Sequence, residues 1–151
     1  MPLISPSDQE KLREAFADMT RPVRLLFFTQ TLDCETCVQT RQILDELPPL
    51  SDKITINEVN LILEADTAKG YGVDRAPGVA ITYREPSAGS ADEWKDSRIR
   101  FLGAPAGYEF ISLVQGVLLA GGREPQLSEA SRQRLTAVTR PVTMQVFTTP
   151  T

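Results

Sequence analysis

Val23-Arg24-Leu25-Leu26-Phe27-Phe28-Thr29, then Gln30-Thr31-Leu32-Asp33, then Cys34-Glu35-Thr36-Cys37, then Val38-Gln39-Thr40-Arg41-Gln42-Ile43-Leu44-Asp45-Glu46-Leu47 is the stretch around which the chain is organised. Its first seven residues form a nearly continuous apolar run, the pattern of a central strand buried on both faces. The segment after the cysteines has helical spacing, with Val38, Ile43, Leu44 and Leu47 as its buried side, and Pro48-Pro49 stop it. The chain's only two cysteines therefore fall where a strand gives way to the first turn of a helix. A helix start presents unpaired N–H groups and the positive end of the helix dipole, and both favour a negative sulfur. Such placement lowers a thiol pKa to about 3.5–7.5, which makes the reactive thiolate accessible. Residues three apart on a helix share a face with Cβ atoms about 5–6 Å apart, within reach of a disulfide after small adjustment. The spacing predicts a reversible dithiol/disulfide pair, with Cys34 the exposed nucleophile and Cys37 the resolving thiol one turn deeper.

Other readings of the pair stand beside this one. Free cysteines are often inert core residues. A zinc site usually needs four ligands, and the chain has no histidine and no further cysteine. That excludes a thiolate–imidazole site within one chain and leaves a metal shared between two chains. A purely structural disulfide here would close a very small loop and stabilise little.

The 151 residues suffice for one domain with a real core, and a hydrophobic fraction of 41% is ordinary for a globular protein. A formal net charge of −4 leaves no electrostatic footprint for nucleic acid or an anionic membrane. No apolar run approaches the roughly 20 residues that span a bilayer. The N-terminus has neither the charged region nor the apolar region of a secretion signal. The expectation is a cytoplasmic protein, where a lone C-x-x-C points to redox or metal chemistry rather than a structural staple.

Outward from the central stretch, Ser7 to Glu10 matches a capping box, so a first helix is expected over 8–19, with Leu12, Ala15, Phe16 and Met19 laid on a sheet. A second strand is expected over 54–60 and a short helix around 65–71, ended by Gly72. This β–α–β order implies a parallel pair with a right-handed crossover. Strands at 78–83 and 98–102 should pair antiparallel. The loop between them, 85–97, is long for a hairpin and holds the only tryptophan, Trp94; it reads as a solvated loop or as a partner contact anchored by that ring. A helix over 108–120 carries Phe110, Leu113, Val114, Val117 and Leu118 as its buried stripe, with Gly121-Gly122 at its C-terminal cap. A weakly amphipathic helix at 128–138 follows, then a strand at 142–148. Arg140-Pro141-Val142 to Thr148 echoes Arg21-Pro22-Val23 to Thr29, so an internal repeat begins again.

Strand, C-x-x-C, helix, crossover, and then a proline opening a strand about 40 residues after the second cysteine resemble the thioredoxin fold. The blocks S-D-Q-E-K-L-R-E-A-F, Y-G-V-D-R-A-P-G-V-A-I-T, F-L-G-A-P-A-G-Y-E-F and V-F-T-T-P-T are similar to the N-terminal unit of the two-unit protein disulfide oxidoreductases, also called glutaredoxin-like domain proteins. The resemblance covers nearly the whole chain. It implies an α/β architecture with a central mixed sheet flanked by helices: a thioredoxin-like unit over 1–122, then a connecting helix and the first strand of an incomplete second unit over 123–151. The N-terminal portion of alkyl hydroperoxide reductase flavoproteins has the same two-unit architecture and is similar through G-Y-E-F-I-S-L-V. There the first unit has lost its cysteines, whereas this chain keeps Cys34 and Cys37.

The resemblance implies a cis Pro77 facing the cysteines, with the Ala76 backbone pairing with an extended substrate segment. Asp33, Glu35, Thr36 and Glu58 are the candidate tuning residues. Asp33 and Glu35 flank Cys34, and negative neighbours oppose thiolate formation. Glu35 is expected to make Cys34 less acidic and the pair more reducing, unless it merely points into water. Phe28 stands where thioredoxins carry a buried proton-shuttling acid, and Glu58 is the candidate substitute near Cys37, the alternative being an ordinary surface residue. The implied activity is thiol–disulfide exchange with protein disulfides through a mixed disulfide, needing no bound organic cofactor and no metal. The alternatives are an electron-relay domain and a scaffold or dimerisation half with vestigial cysteines. The implied partners are protein disulfides, a reductase of the thioredoxin-reductase type or a peroxiredoxin, and a second copy through strand 142–148. Nucleic acid and membrane are not among them. A glutathione-dependent variant lacks a clear basic or hydroxyl cluster beside Cys34.

Overall fold

A computed structural model describes residues 2–86 and 93–149. The elements run α1 (Pro6–Ala17), β1 (Val23–Thr29), α2 (Cys37–Asp45), a 3₁₀ turn (Pro48–Leu50), β2 (Ile54–Asn60), α3 (Ala65–Gly70), β3 (Gly78–Tyr83), β4 (Lys95–Leu102), α4 (Tyr108–Ala120) and α5 (Glu129–Leu135). The strands form a sheet in the order β2-β1-β3-β4. β1 is parallel to β2 and antiparallel to β3, and β3 is antiparallel to β4.

The apolar run of β1 divides between the two faces of this sheet. Val23, Leu25 and Phe27 join a core with Phe16 and Met19 from α1 and its C-terminal turn, Cys37 and Leu44 from α2, and Leu113 and Val117 from α4. Leu26 and Phe28 point the other way, into a smaller core with Val59, Val73, Ala80 and Ala68 of α3. Successive side chains of a strand alternate sides, so only an unbroken apolar run fills both layers.

Several sequence expectations are corrected. The first helix begins two residues earlier: Ser5 is its N-cap, its hydroxyl accepts from the Asp8 backbone N–H, and Pro6 takes the first turn, where its missing N–H costs nothing. Val38 is not on the buried side of α2; it is 69% exposed, and Thr40 takes the inward position. The Thr40 hydroxyl is satisfied there by donating to the Thr36 carbonyl at 2.9 Å, so the buried position costs no orphaned donor. β4 starts at Lys95, three residues ahead of the expected strand, and its pairing with β3 shifts register between Ala80 and Thr82. Trp94 lies between two cations, 4.7 Å from the Arg24 guanidinium and 5.1 Å from that of Arg84. The rest of the expected 85–97 loop lies partly outside the described residues. The strand expected at 142–148 is absent. The segment forms no backbone–backbone hydrogen bond among the described residues and pairs with none of the described strands. Val142, Met144, Val146 and Phe147 are exposed, and the Thr148 hydroxyl reaches the Glu109 carboxylate at the start of α4.

Candidate redox site

After Thr29 the chain leaves the sheet through residues 30–36. Asp33 takes a left-handed backbone conformation with φ of 55°, one that Asp tolerates better than most residues, and the Gln30 side-chain amide donates to its carbonyl at 3.4 Å. This reversal delivers Cys34 into a tight turn closed by the Cys37 N–H donating to the Cys34 carbonyl at 3.4 Å. The two cysteines are joined in a disulfide, with Cα atoms 5.4 Å apart. The helix begins at Cys37 rather than at Cys34. Asp33 is left-handed and Thr36, the N-cap, sits at φ −101°, ψ 3°, so the residues ahead of Cys37 cannot extend the helix. Cys37 is buried, while Cys34 is only partly so. The Thr36 side chain makes no capping bond and the first turn of α2 holds no acid. Its N–H groups and dipole therefore meet the site without a side-chain acceptor in between.

The opposite wall comes from the start of β3. Phe28 pairs with Gly78, so the residues before Gly78 lie at the sheet end from which the cysteine turn emerges. The Ala76–Pro77 peptide bond is cis, the geometry the resemblance implies. Pro77 is buried, and its carbonyl accepts from the Gly103 N–H at 2.9 Å, which ties the loop to the end of β4. Ala76 and Cys34 pack on the same core cluster, the one that contains Cys37. The Ala76 N–H and C=O form no backbone hydrogen bond among the described residues. Gly78 holds the loop from beneath: a Cβ there would lie 2.9 Å from Val73 Cγ1 and 3.2 Å from the Arg75 carbonyl oxygen.

Of the remaining sequence candidates, Asp33 and Glu35 are exposed beside Cys34, and no hydrogen bond or ion pair of the described residues uses their carboxylates. Glu58 lies across from Phe27 on β2, half-exposed, with its carboxylate on the Arg41 guanidinium. Arg41 Nε also reaches both Asp45 oxygens at 2.9 and 3.0 Å. Asp45 chiefly, and Glu58 with it, raise the Arg41 pKa further above its ordinary value. No sequence pattern signals the packing under Gly78, the left-handed Asp33 or the exposure of Leu32, Ile62 and Leu63 at this end, where Val38, expected to be buried, is exposed as well. The positive φ of Asp33 has no sequence signature beyond the residue type. Gly78 was visible as a glycine directly after a proline.

The strand order, the C-x-x-C at the head of α2 and the cis proline ahead of β3 together decide the architecture. The chain has the thioredoxin fold. Among solved structures it is similar to the NTD_N/C domain of the alkylhydroperoxide reductase AhpF from Enterococcus faecalis, with a TM-score of 0.76 and 27% identity over 91% of this chain and 62% of that one. It is also similar to a protein disulfide oxidoreductase from Aeropyrum pernix K1, with a TM-score of 0.70 and 24% identity over 88% of this chain and 54% of that one. The F component of the alkyl hydroperoxide reductase of Escherichia coli K12 is 25% identical over 134 residues, which cover 88% of this chain. The thioredoxin-fold chain thus spans 22% of that curated relative, and little more than half of the two solved chains. No protein-family model matches it. No helix among the described residues is long and apolar enough to cross a membrane.

Proposed function

We propose that the chain is a thiol–disulfide oxidoreductase acting on protein disulfides. The observation that carries this reading is the asymmetric disulfide: a partly exposed Cys34 joined to a buried Cys37 at the head of α2. In the reduced protein the Cys34 thiolate attacks one sulfur of a substrate disulfide. That S–S bond breaks, a mixed disulfide forms, and the departing thiolate takes a proton. Cys37 loses its proton, attacks the Cys34 sulfur and releases the second substrate thiol. The substrate has gained two electrons, and the protein is left in the disulfide form. Run backwards, the oxidised pair donates its disulfide. The N–H and C=O of Ala76, which have no backbone partner among the described residues, would hold the substrate segment as an added strand across the sulfurs. Asp33, Glu35 and Thr36 would tune the pair, and Glu58, held by Arg41, would move the Cys37 proton only by exchanging that partner. The setting is a reducing compartment such as the cytoplasm, with a thioredoxin-reductase-type enzyme or small thiols supplying electrons.

The reading is tested by trapping. A Cys37→Ser protein given a disulfide-containing protein should accumulate a covalent 1:1 adduct through Cys34, released by dithiothreitol, while Cys34→Ser should form none. Absence of an adduct from Cys37→Ser would sink the exchange mechanism.

The similarity to the alkyl hydroperoxide reductases favours a second reading, an electron relay to a peroxide-reducing partner. Turnover would then require one dedicated protein and be weak on generic disulfides. Under either reading, residues 123–149 serve as the connector to a second thioredoxin-like unit. α5 buries no residue, and the 142–148 segment exposes the apolar side chains that a neighbouring sheet would cover.

A further inference from the structure

The end of the sheet that carries the disulfide combines two features. Leu32, Val38, Ile62 and Leu63 are 74%, 69%, 68% and 84% exposed. The Leu61 N–H donates to the Thr29 carbonyl at 2.8 Å, which fixes the 61–64 turn directly beside the loop leading to Cys34. Exposed apolar side chains on the segments around a reactive disulfide suit contact with another protein. Beside the disulfide itself the nearest charges along the chain are acidic, and the cations of this end, Arg41, Lys69 and Arg75, lie on α2, on α3 and in the facing loop. The carboxylates of Asp33 and Glu35 bracket Cys34 in sequence, and Asp66 opens α3 after the same turn; all three are exposed, and none has an ion-pair partner among the described residues. The cation of the facing loop, Arg75, is already engaged by Asp74 at 2.9 Å. A partner docking here meets net negative charge within a residue of the reacting sulfur.

We infer that this face selects a protein segment whose cysteine is flanked by Lys or Arg, and that it rejects acidic thiols and acidic flanking sequence. The inference rests on the exchange activity proposed above. It assigns that activity a substrate class, since opposite charge across an interface speeds encounter and like charge beside the reacting atom slows it.

The test uses the reduced full chain and two peptides of identical length, each closed by one internal disulfide, with Lys on both sides of one cysteine in the first peptide and Glu in the second. Hydroxyethyl disulfide, which carries no charge, is the reference substrate. At about 20 mM salt the Lys peptide should be reduced about tenfold faster than the Glu peptide, and the ratio should fall toward one in about 1 M salt, where the screening length is about 3 Å. In Asp33→Asn with Glu35→Gln the ratio should shrink several-fold. Because it is a ratio, any change in the intrinsic reactivity of Cys34 cancels. Equal rates for the two peptides at low salt, or a faster Glu peptide, overturn the inference while hydroxyethyl disulfide is still reduced. Failure to reduce hydroxyethyl disulfide and both peptides overturns the exchange activity itself.

Discussion

Cys34 and Cys37 are joined with their Cα atoms 5.4 Å apart, yet only Cys37 belongs to the helix. Cys34 sits in the turn ahead of it, partly open to solvent, while Cys37 is 6% exposed within the main core. One sulfur is placed to meet a substrate and the other to meet only its partner.

That asymmetry sets relative reactivity. After full reduction, a small alkylating agent at neutral pH should modify Cys34 at least about tenfold faster than Cys37. Peptide mapping after short exposure measures the ratio. Equal labelling would mean that the buried and open positions are interchangeable in solution, contrary to the division of labour proposed.

Gly78 should prove as important to the site as a residue that touches substrate. A methyl group there meets Val73 and the Arg75 carbonyl, so the 75–77 loop must shift or the smaller core must open. Gly78→Ala is expected to destabilise the fold by about 1–3 kcal/mol. It should also slow exchange with protein disulfides several-fold more than with hydroxyethyl disulfide, which needs no strand addition. Urea melts and the two rate constants check this; an unchanged melt with both rates intact would show that the loop does not depend on the missing Cβ.

Asp96 and Arg100 tie the edge strand to the end of α3. The guanidinium makes contacts of 2.8 and 2.6 Å to the two Asp96 oxygens, and its Nε donates to the Tyr71 carbonyl at 3.0 Å. The hydrogen bond from Arg100 is the main reason the Asp96 carboxyl titrates below its ordinary value. A carboxylate depressed in the folded state contributes stability that is present above its unfolded pKa of about 3.9 and is lost as pH falls through the folded one. Asp96→Asn should cost about 1 kcal/mol at pH 7, partial exposure limiting the loss. The difference from the parent should close as pH is lowered beneath about 4. Denaturant midpoints at pH 7 and in acid measure it; a gap that persists at low pH would assign the loss to geometry rather than charge.

Glu35 stands next to Cys34 with no counter-ion among the described residues. Removing its charge in Glu35→Gln should lower the Cys34 pKa, read by thiolate absorbance, and make the pair less reducing. An unchanged or higher pKa would mean that water screens Glu35 from the sulfur.

Sequence reasoning reached furthest where burial dictates pattern. The run from Leu25 to Phe28 is unbroken and apolar because both faces of β1 are covered, and the bounds of β1, β2, β3 and α4 coincide with those expected. It erred where local chemistry decides between neighbouring choices. Ser5 and Ser7 both offer a capping hydroxyl, and Pro6 at the first turn selects Ser5. Val38 looks like a core residue by type, but the face of α2 that buries Cys37, Thr40, Ile43 and Leu44 leaves it pointing outward. The 142–148 segment has a strand's composition without a strand's neighbours, and composition alone cannot supply hydrogen-bond partners. At the site, the cysteines and Pro77 were legible from type and spacing. The positive φ of Asp33 and the packing under Gly78 depend on tertiary contacts that no local pattern encodes.

The account stands or falls on whether Cys34 and Cys37 cycle between dithiol and disulfide. Equilibrating the protein across a series of dithiothreitol and glutathione buffers, quenching with a thiol-alkylating mass tag and counting tags per chain gives the answer, with Cys34→Ser as the control. The account predicts a reversible two-electron transition with a midpoint within the range of about −270 to −120 mV spanned by known thioredoxin-like dithiols, and no such transition in the control. A pair that stays fully reduced or fully oxidised across every buffer would contradict it.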